Sequence, residues 1–565
     1  MRNRIHLVGD FTTYKFIKEK KTIFFDEYIY NFYNQEPNAK KKSFFFSYKE
    51  FGNIDYYSQY VIKKHRIYKR ELSSLLNKIH GKKYSIVYWG LILDKFLFLL
   101  LNNILIESNF LKKIYKKNKN LILEKVSFEN SYLNTQDYLS ARKFDNSQIY
   151  IRYIIAKNIG FKHFEKKKAS SFLLNYLDVK NFKLNILQIL IKNLVHLYVK
   201  LFNPTLIIES YLNKRQVFNN FFLSLGKVLC VPYKYFFNND TSLPRKKKSS
   251  LRNQIKVNER DDFDRLFNKL IKDLLPLSYL ENYEYYEKFN KKFKCLTKIG
   301  AAVLINDDNF KFLSSYILEK KRKLFLLPHG GMLGFLRFDS DQDIEKKYGT
   351  KLLRWSDRNP LRENILEDLQ PYKFNFIKKN LNILFYPTAM MLRHNYHFPL
   401  SQKNHPYANC YFGLYEGLSH DLKKKVKIKN FPTKISNLFM SKWKEKYKFN
   451  FFVKDKKNIF NQYKIIIIND YSTPLCQLIY TNTPFIIIDS EKKNLNSKIL
   501  KKILRLKKIN ILFDDCKKAS TFLNKHYNSL DKWWLKALKS RIYCDLKKDI
   551  TPEMSKSQNL RKLLN

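Results

Sequence analysis

The 565-residue chain reads as an α/β protein with a helix-rich amino-terminal part, and three observations carry that reading. Short apolar runs bounded by turn residues recur through the second half, at Ala301–Ile305, Leu324–Leu327, Ile383–Tyr386, Ile465–Ile468, Phe485–Ile488 and Ile509–Phe513. They do not alternate with polar residues, so they fit strands covered on both faces of a parallel sheet. Stretches of helical period separate them, which is the rhythm of βαβ units. Finally, a chain with only 13 glycines sets three of them at Gly330, Gly331 and Gly334, directly after one of these strands.

From the amino terminus onward, Met1–Val8 runs into Gly9-Asp10 without the ~7–15 apolar residues of a signal peptide, so a cytoplasmic protein is expected. The most apolar stretch, Ile86–Ile106, is interrupted by Asp94, Lys95, Asn102 and Asn103, and its clean part, Phe96–Leu101, is far short of the ~20 residues of a membrane span. Apolar spacing of three and four residues predicts a long core helix there, with His80-Gly81 as its preceding cap. The polar segment Asn238–Arg260, with Pro244, predicts an exposed insertion. Polar residues from Asp339 to Arg362 predict a connection between domains, giving 1–350 as an amino-terminal domain with helical elaborations and 351–565 as a carboxy-terminal α/β domain with terminal helices. The last segment, Leu530–Asn565, reads as helical, carries Trp533 and Trp534, and could pack back across the first domain.

Hydrophobic residues at 45% and charged residues at 28% exclude wholesale disorder and a polytopic membrane protein. Lys and Arg number 107 against 50 Asp and Glu, a net charge of +57, which raises nucleic acid or an anionic membrane as partner. Phe (47), Tyr (39) and Lys are inflated together while Gly and Pro (15) are depleted, the mark of AT-rich codon usage. No RNP sequence, zinc finger or basic zipper is present, so no specific nucleic acid is expected; a non-enzymatic nucleic-acid-binding protein stays as the rival class. An anionic membrane surface is the expected partner of the charge, with the protein peripheral to the inner membrane. The six cysteines, at 230, 295, 410, 476, 516 and 544, contain no Cys-x-x-Cys pair, so neither a zinc knuckle nor a disulfide framework is indicated.

Three segments could carry chemistry. In the first, glycines after a parallel strand allow close backbone approach to a ligand, and His329 stands where an imidazole could take a proton from an acceptor hydroxyl; a tight turn with an incidental histidine is the plain alternative. The spacing of Gly330, Gly331 and Gly334 is neither a dinucleotide fingerprint nor a Walker loop. In the second, Ile465–Ile468 leads into Ser472-Thr473-Pro474, a cap and first turn whose backbone N–H groups suit a diphosphate, unless it is an ordinary βα turn. Asn482-Thr483-Pro484 and Phe485–Ile488 complete a β-turn-α-turn-β unit. In the third, Arg393, His394 and His397 follow the strand Ile383–Tyr386 in a basic loop where Arg393 could clamp a phosphate or simply face solvent. No carboxylate or cysteine lies at ligand spacing there, so no metal is expected.

These segments resemble the transferases encoded in bacterial surface-polysaccharide (O-antigen type) gene clusters, a GT-B-like family. The resemblance rests on His80-Gly81 with Tyr88-Trp89, on His329-Gly330-Gly331-x-x-Gly334 with Trp355 downstream, on the Arg393 loop, and on Asp470-Tyr471-Ser472-Thr473 through Asn482-Thr483-Pro484. The pairing of the His-Gly turn with Asp470-Tyr471-Ser472-Thr473 is also similar to the CDP-glycerol glycerophosphotransferases. The resemblance implies two Rossmann-like domains facing a cleft, with the His329 loop on the acceptor side and Ser472 and Thr473 holding the donor diphosphate. It implies transfer of a sugar from a nucleotide-activated donor to a lipid-linked or glycan acceptor, or as the alternative a CDP-polyol phosphotransfer, with no metal or cofactor. Gln477 stands where the family pattern has a glutamate, Thr433 follows Pro432 where it has a histidine, and Lys429 takes the place of an arginine.

Overall fold

The structure is a computed structural model, and it describes residues 5–8, 22–24, 44–45, 54–125, 132–141, 147–166, 184–210, 214–237, 243–302, 307–327, 340–352, 380–387, 407–429, 443, 446–447, 452–453, 460, 462–469, 471, 473–488, 495 and 497–550. These fall into two compact units: the chain up to Leu327 together with Ser340–Lys351, and the described residues from 380 onward.

The first unit holds two parallel sheets. One consists of β1 (Ile5–Val8), β2 (Thr22–Phe24), β3 (Phe44–Phe45), β4 (Leu121–Lys125) and β5 (His163–Lys166), ordered β3-β2-β1-β4-β5 with every neighbour parallel. The other is ordered β10-β9-β8-β6-β7, from β6 (Thr205–Ile208), β7 (Val228–Val231), β8 (Lys298–Ala302), β9 (Lys323–Leu327) and β10 (Lys351–Leu352). The amino-terminal part is rich in helix, as its periodicity predicts, but it also carries the first sheet. Strands of two to five residues leave too few apolar positions to stand out from the flanking sequence.

Helices pack around these sheets: α1 (Ile54–His80), α2 (Ile86–Lys117), α3 (Ser147–Ile159), α4 (Ile186–Phe202), α5 (Lys214–Leu223), α6 (Asp308–Glu319) and α7 (Ser340–Tyr348). The core helix predicted over Ile86–Ile106 is α2, which touches α1, α3, α6 and α7. By length and composition it could cross a membrane, yet 94% of its apolar window is buried inside the protein. Its polar residues are buried too, and they hold the unit together. Glu107 takes a two-pronged contact from Arg152 of α3, at 3.1 Å from Nε and 3.0 Å from Nη2. Asp94, 2% exposed, receives Lys69 Nζ at 3.0 Å, Lys347 Nζ at 2.9 Å, the Tyr348 hydroxyl at 2.6 Å and His65 Nε2 at 3.3 Å. Burial opposes ionisation of Asp94, but His65, Lys69 and Lys347 outweigh it and hold the carboxyl below its ordinary range. A side chain at Gly90 would collide with the Tyr348 hydroxyl, so the glycine lets α7 reach Asp94.

One local expectation changes and another is refined. His80-Gly81 closes α1 instead of opening α2: Gly81 has φ +61°, the left-handed stop of a helix end, and the cap of α2 is Ser85, whose hydroxyl accepts from Tyr88 N at 3.3 Å. The described part of Asn238–Arg260 is mostly exposed, as predicted, but three of its residues are anchored in the fold. Ile255 and Val257 lie in the core, and Arg252 is buried because Glu281 and the carbonyls of Lys272 and Leu275 satisfy its guanidinium.

The second unit is built on one six-stranded parallel sheet. Its strands are β11 (Asn380–Tyr386), β12 (Val426–Lys429), β13 (Phe452–Val453), β14 (Tyr463–Ile468), β15 (Phe485–Ile488) and β16 (Leu512–Phe513), ordered β13-β12-β11-β14-β15-β16. β14 and β15 are buried along nearly their whole length, which explains their unbroken isoleucines. Helix α8 (Tyr407–Gly417) precedes β12, and α9 (Thr473–Tyr480) joins β14 to β15. The helices Leu530–Lys539 and Arg541–Ile550 pack within this unit: Trp534 is fully buried against Phe485 and Tyr543, and its indole donates to Asn482 O at 2.9 Å.

Candidate functional site

The strand order of the second unit reverses between β11 and β14. From β11 the chain proceeds outward to β12 and β13, and from β14 it proceeds the other way. In an open parallel sheet that reversal leaves a crevice beyond the carboxyl ends of the two central strands, because the connecting helices leave on opposite faces. Four described side chains gather at that end: Tyr386 closing β11, Lys429 closing β12, Asn469 directly after β14, and Tyr411 of α8.

Lys429 is 5% exposed. Its ammonium donates to the Tyr386 hydroxyl and lies 4.1 Å from the centre of the same ring, so a buried cation is steadied by an oxygen and by a π face. The Tyr411 hydroxyl is 2.9 Å from Tyr386 O, 3.2 Å from Ile467 O and 3.3 Å from Asn469 Oδ1. One proton serves three acceptors, and the hydroxyl thereby staples the ends of β11 and β14. Asn469 is 5% exposed, and its amide nitrogen is buried with no hydrogen-bond partner among the described residues. A buried donor left unmade costs ~1–3 kcal/mol, so this nitrogen suits an acceptor atom brought by a ligand. α9 begins at Thr473, four residues further on, and its first-turn N–H groups and dipole favour negative charge at that end. The arrangement is competent to hold an anionic, hydrogen-bond-accepting group such as a diphosphate.

Of the residues singled out from sequence, His329, Gly330, Gly331, Gly334, Arg393 and Ser472 lie outside the described residues, as do Trp355, His394, His397, Thr433 and Asp470. β9, which is parallel to β8, ends at Leu327, two positions before His329. Thr473 heads α9, and Gln477 sits one turn later, half-buried. Lys429 is brought into contact with Tyr386. Tyr386, Tyr411 and Asn469 were not foreseen; the available signal was their position at or just beyond strand ends, which gains meaning only once β11 is known to pair with β14. His80, Tyr88 and Trp89 turn out to be packing residues. The His80 ring stacks on Tyr283 at 3.9 Å and on Trp89 at 5.8 Å, and His80 Nε2 meets Tyr279 O at 2.9 Å.

A search of curated proteins finds no match to this chain. A family model described as LIC12162 family transferase matches residues 6–542, nearly the whole length. The parallel sheets and the ligand-competent strand ends of the second unit are those of a chain that belongs to the LIC12162 family of transferases.

Proposed function

We propose that this transferase moves a sugar from a nucleotide-activated donor to a surface-glycan acceptor, with a GT-B-like division of labour between its two halves and attachment to the anionic face of the inner membrane. The observation that carries the donor side is the pair of Lys429 and the unpartnered Asn469 amide at the strand-order reversal. In this scheme the bond from the sugar's anomeric carbon to the diphosphate oxygen breaks while a bond to the acceptor oxygen forms. Lys429, Thr473 at the head of α9, Ser472 and Arg393 neutralise the charge that develops on the leaving diphosphate. His329 accepts the proton released by the acceptor hydroxyl, and Gly330, Gly331 and Gly334 let the acceptor approach the backbone. Gln477 replaces a carboxylate near the donor, so the donor's ribose is met by an amide.

The experiment is calorimetric titration of the full chain with a panel of nucleotides and nucleotide sugars. At least one nucleoside diphosphate is expected to bind, and Asn469→Ala and Lys429→Met are each expected to weaken it at least about tenfold, the loss of one hydrogen bond to a charged group. Binding that neither substitution alters removes the donor assignment from this end of the sheet.

A further inference from the structure

On α4, Ile186, Leu190, Leu194, Leu197 and Leu201 recur at spacings that place them on one face of a helix. All five are exposed, from 52% at Leu197 to 79% at Ile186. The opposite side of the helix, about 150° away at 100° per residue, carries polar groups turned inward: Lys192 Nζ donates to Phe237 O at 2.8 Å, and His196 Nε2 meets Phe236 O at 2.7 Å. The inward side also carries Val199, fully buried, so apolar residues occupy both sides of the helix and the outer row lacks the polar character usual at a protein surface. α5 lies alongside, joined through the Tyr198 hydroxyl to Gly226 O at 3.0 Å, and adds exposed Phe218, Phe222 and, just beyond its end, Leu225.

The charges along this stretch of sequence are almost all positive. Between Ile186 and Lys227 the sequence holds Lys192, Lys200, Lys214, Arg215 and Lys227 but a single acid, Glu209, and Glu209 lies beyond the far end of β6, accepting from Tyr233 N at 2.8 Å. Lys200 and Lys227 are exposed beside the apolar side chains. A second copy of the chain would set the same cations against each other across a two-fold axis, with no carboxylate on either helix to pair them. Nucleic acid would meet the cations but gain nothing from a row of leucines. A bilayer bearing anionic headgroups matches both components, because lysines reach the phosphates while aliphatic side chains enter the acyl boundary.

We propose that α4 and α5 form a monotopic membrane-docking surface that inserts its leucine face into an anionic leaflet; the inference rests on the peripheral-membrane reading above and names the face that performs it. The test is flotation of the full chain with vesicles of phosphatidylethanolamine and phosphatidylglycerol, and with vesicles of phosphatidylcholine alone, at ~0.1 M and ~1 M salt. The comparison protein is the triple variant Leu190→Gln, Leu194→Gln, Leu197→Gln, with its melting curve and sedimentation measured alongside. The wild type is expected to float with the anionic vesicles and to keep part of that binding at ~1 M salt, where charge attraction is screened. The variant is expected to melt like the wild type and to partition on the order of 100-fold more weakly. A variant that partitions like the wild type overturns the assignment of this face and leaves the membrane reading standing. Wild-type binding that salt abolishes entirely overturns the insertion of leucines. A wild type that floats with neither vesicle removes the membrane reading together with the face, and a wild-type dimer that the substitutions dissociate assigns the face to a second copy instead.

Discussion

Ile86–Lys117 and Ile186–Phe202 are both dominated by leucine and isoleucine, yet protein covers 94% of the apolar window of the first, whereas the second leaves Ile186, Leu190, Leu194, Leu197 and Leu201 exposed. What separates them is where their polar residues find partners. On α2 the polar groups are met from elsewhere in the unit: Arg152 comes from α3 to Glu107, Lys69 and His65 come from α1 to Asp94, and Lys347 and Tyr348 come from α7 to the same carboxylate. Partners on several sides force the helix into the middle of the fold. On α4, Lys192 and His196 point one way, to two adjacent backbone carbonyls, and the aliphatic side is left out. Apolar content therefore does not decide whether a helix is enclosed; the directions of its few polar contacts do.

The contrast breaks most easily at Glu107. Glu107→Ala takes from the buried Arg152 guanidinium the carboxylate that meets it in two places and is expected to cost ~3–5 kcal/mol in urea unfolding, while Glu107→Leu with Arg152→Met recovers most of the loss. A single variant that loses less than ~1 kcal/mol would mean that water reaches Arg152 and that α2 is not enclosed as described.

A smaller effect is expected from acid. His65, His80 and His196 are all held below their ordinary pKa by burial, so near pH ~6.5 the unfolded chain takes up protons that the folded chain refuses. Because the unfolded state then binds more protons, stability falls as the pH drops through that window. The carboxyls of Asp94 and Asp264, held below their ordinary range, extend the loss at lower pH. Thermal melts between pH ~7.5 and ~5.5 should show the first decline; a flat profile would mean that these rings gain their protons within the folded state.

The smallest effect is expected on α4. Each of Leu190→Gln, Leu194→Gln and Leu197→Gln should shift unfolding by no more than ~0.5 kcal/mol, as for an exposed site. Losses of ~2 kcal/mol or more per site would show the face covered in solution and erase the difference from α2.

Much of the second half was legible because its strands are buried on both sides. Phe485–Ile488 and the bulk of β9, β11 and β14 stand where unbroken aliphatic runs predict them, and α9 starts at Thr473, where a helix start is predicted. The run Ala301–Ile305 marks a strand that begins earlier, at Lys298, and Ile509–Phe513 spans the end of a 3-10 turn before the two-residue β16. β12 escaped because lysines alternate in Val426–Lys429, and β1 to β3 because they are so short. In the candidate site, Lys429 was visible as a basic residue, but its contact with Tyr386 depends on β11 lying beside β12, and Asn469 gains meaning only from the pairing of β11 with β14. Such pairings are not local and leave no periodicity to read. The exposure of α4 was hidden for the opposite reason, since leucines at helical spacing read as a core.

The order of the six-stranded sheet also shapes how the chain is made. β11 is synthesised first, but its neighbour β14 pairs with it across about 80 residues, Tyr386 meeting Ile468, and at ~5–20 residues per second that partner emerges roughly 4–16 s later. During that interval one edge of Asn380–Tyr386 presents unpaired N–H and C=O groups beside aliphatic side chains, a template for strand addition by any other nascent chain. Contacts of such long sequence separation also close slowly, because the loop entropy must be spent before the pairing returns it. The crevice at the strand-order reversal thus waits on the pairing of longest delay after β11, and crowded synthesis at high temperature would trap the chain just before that pairing closes.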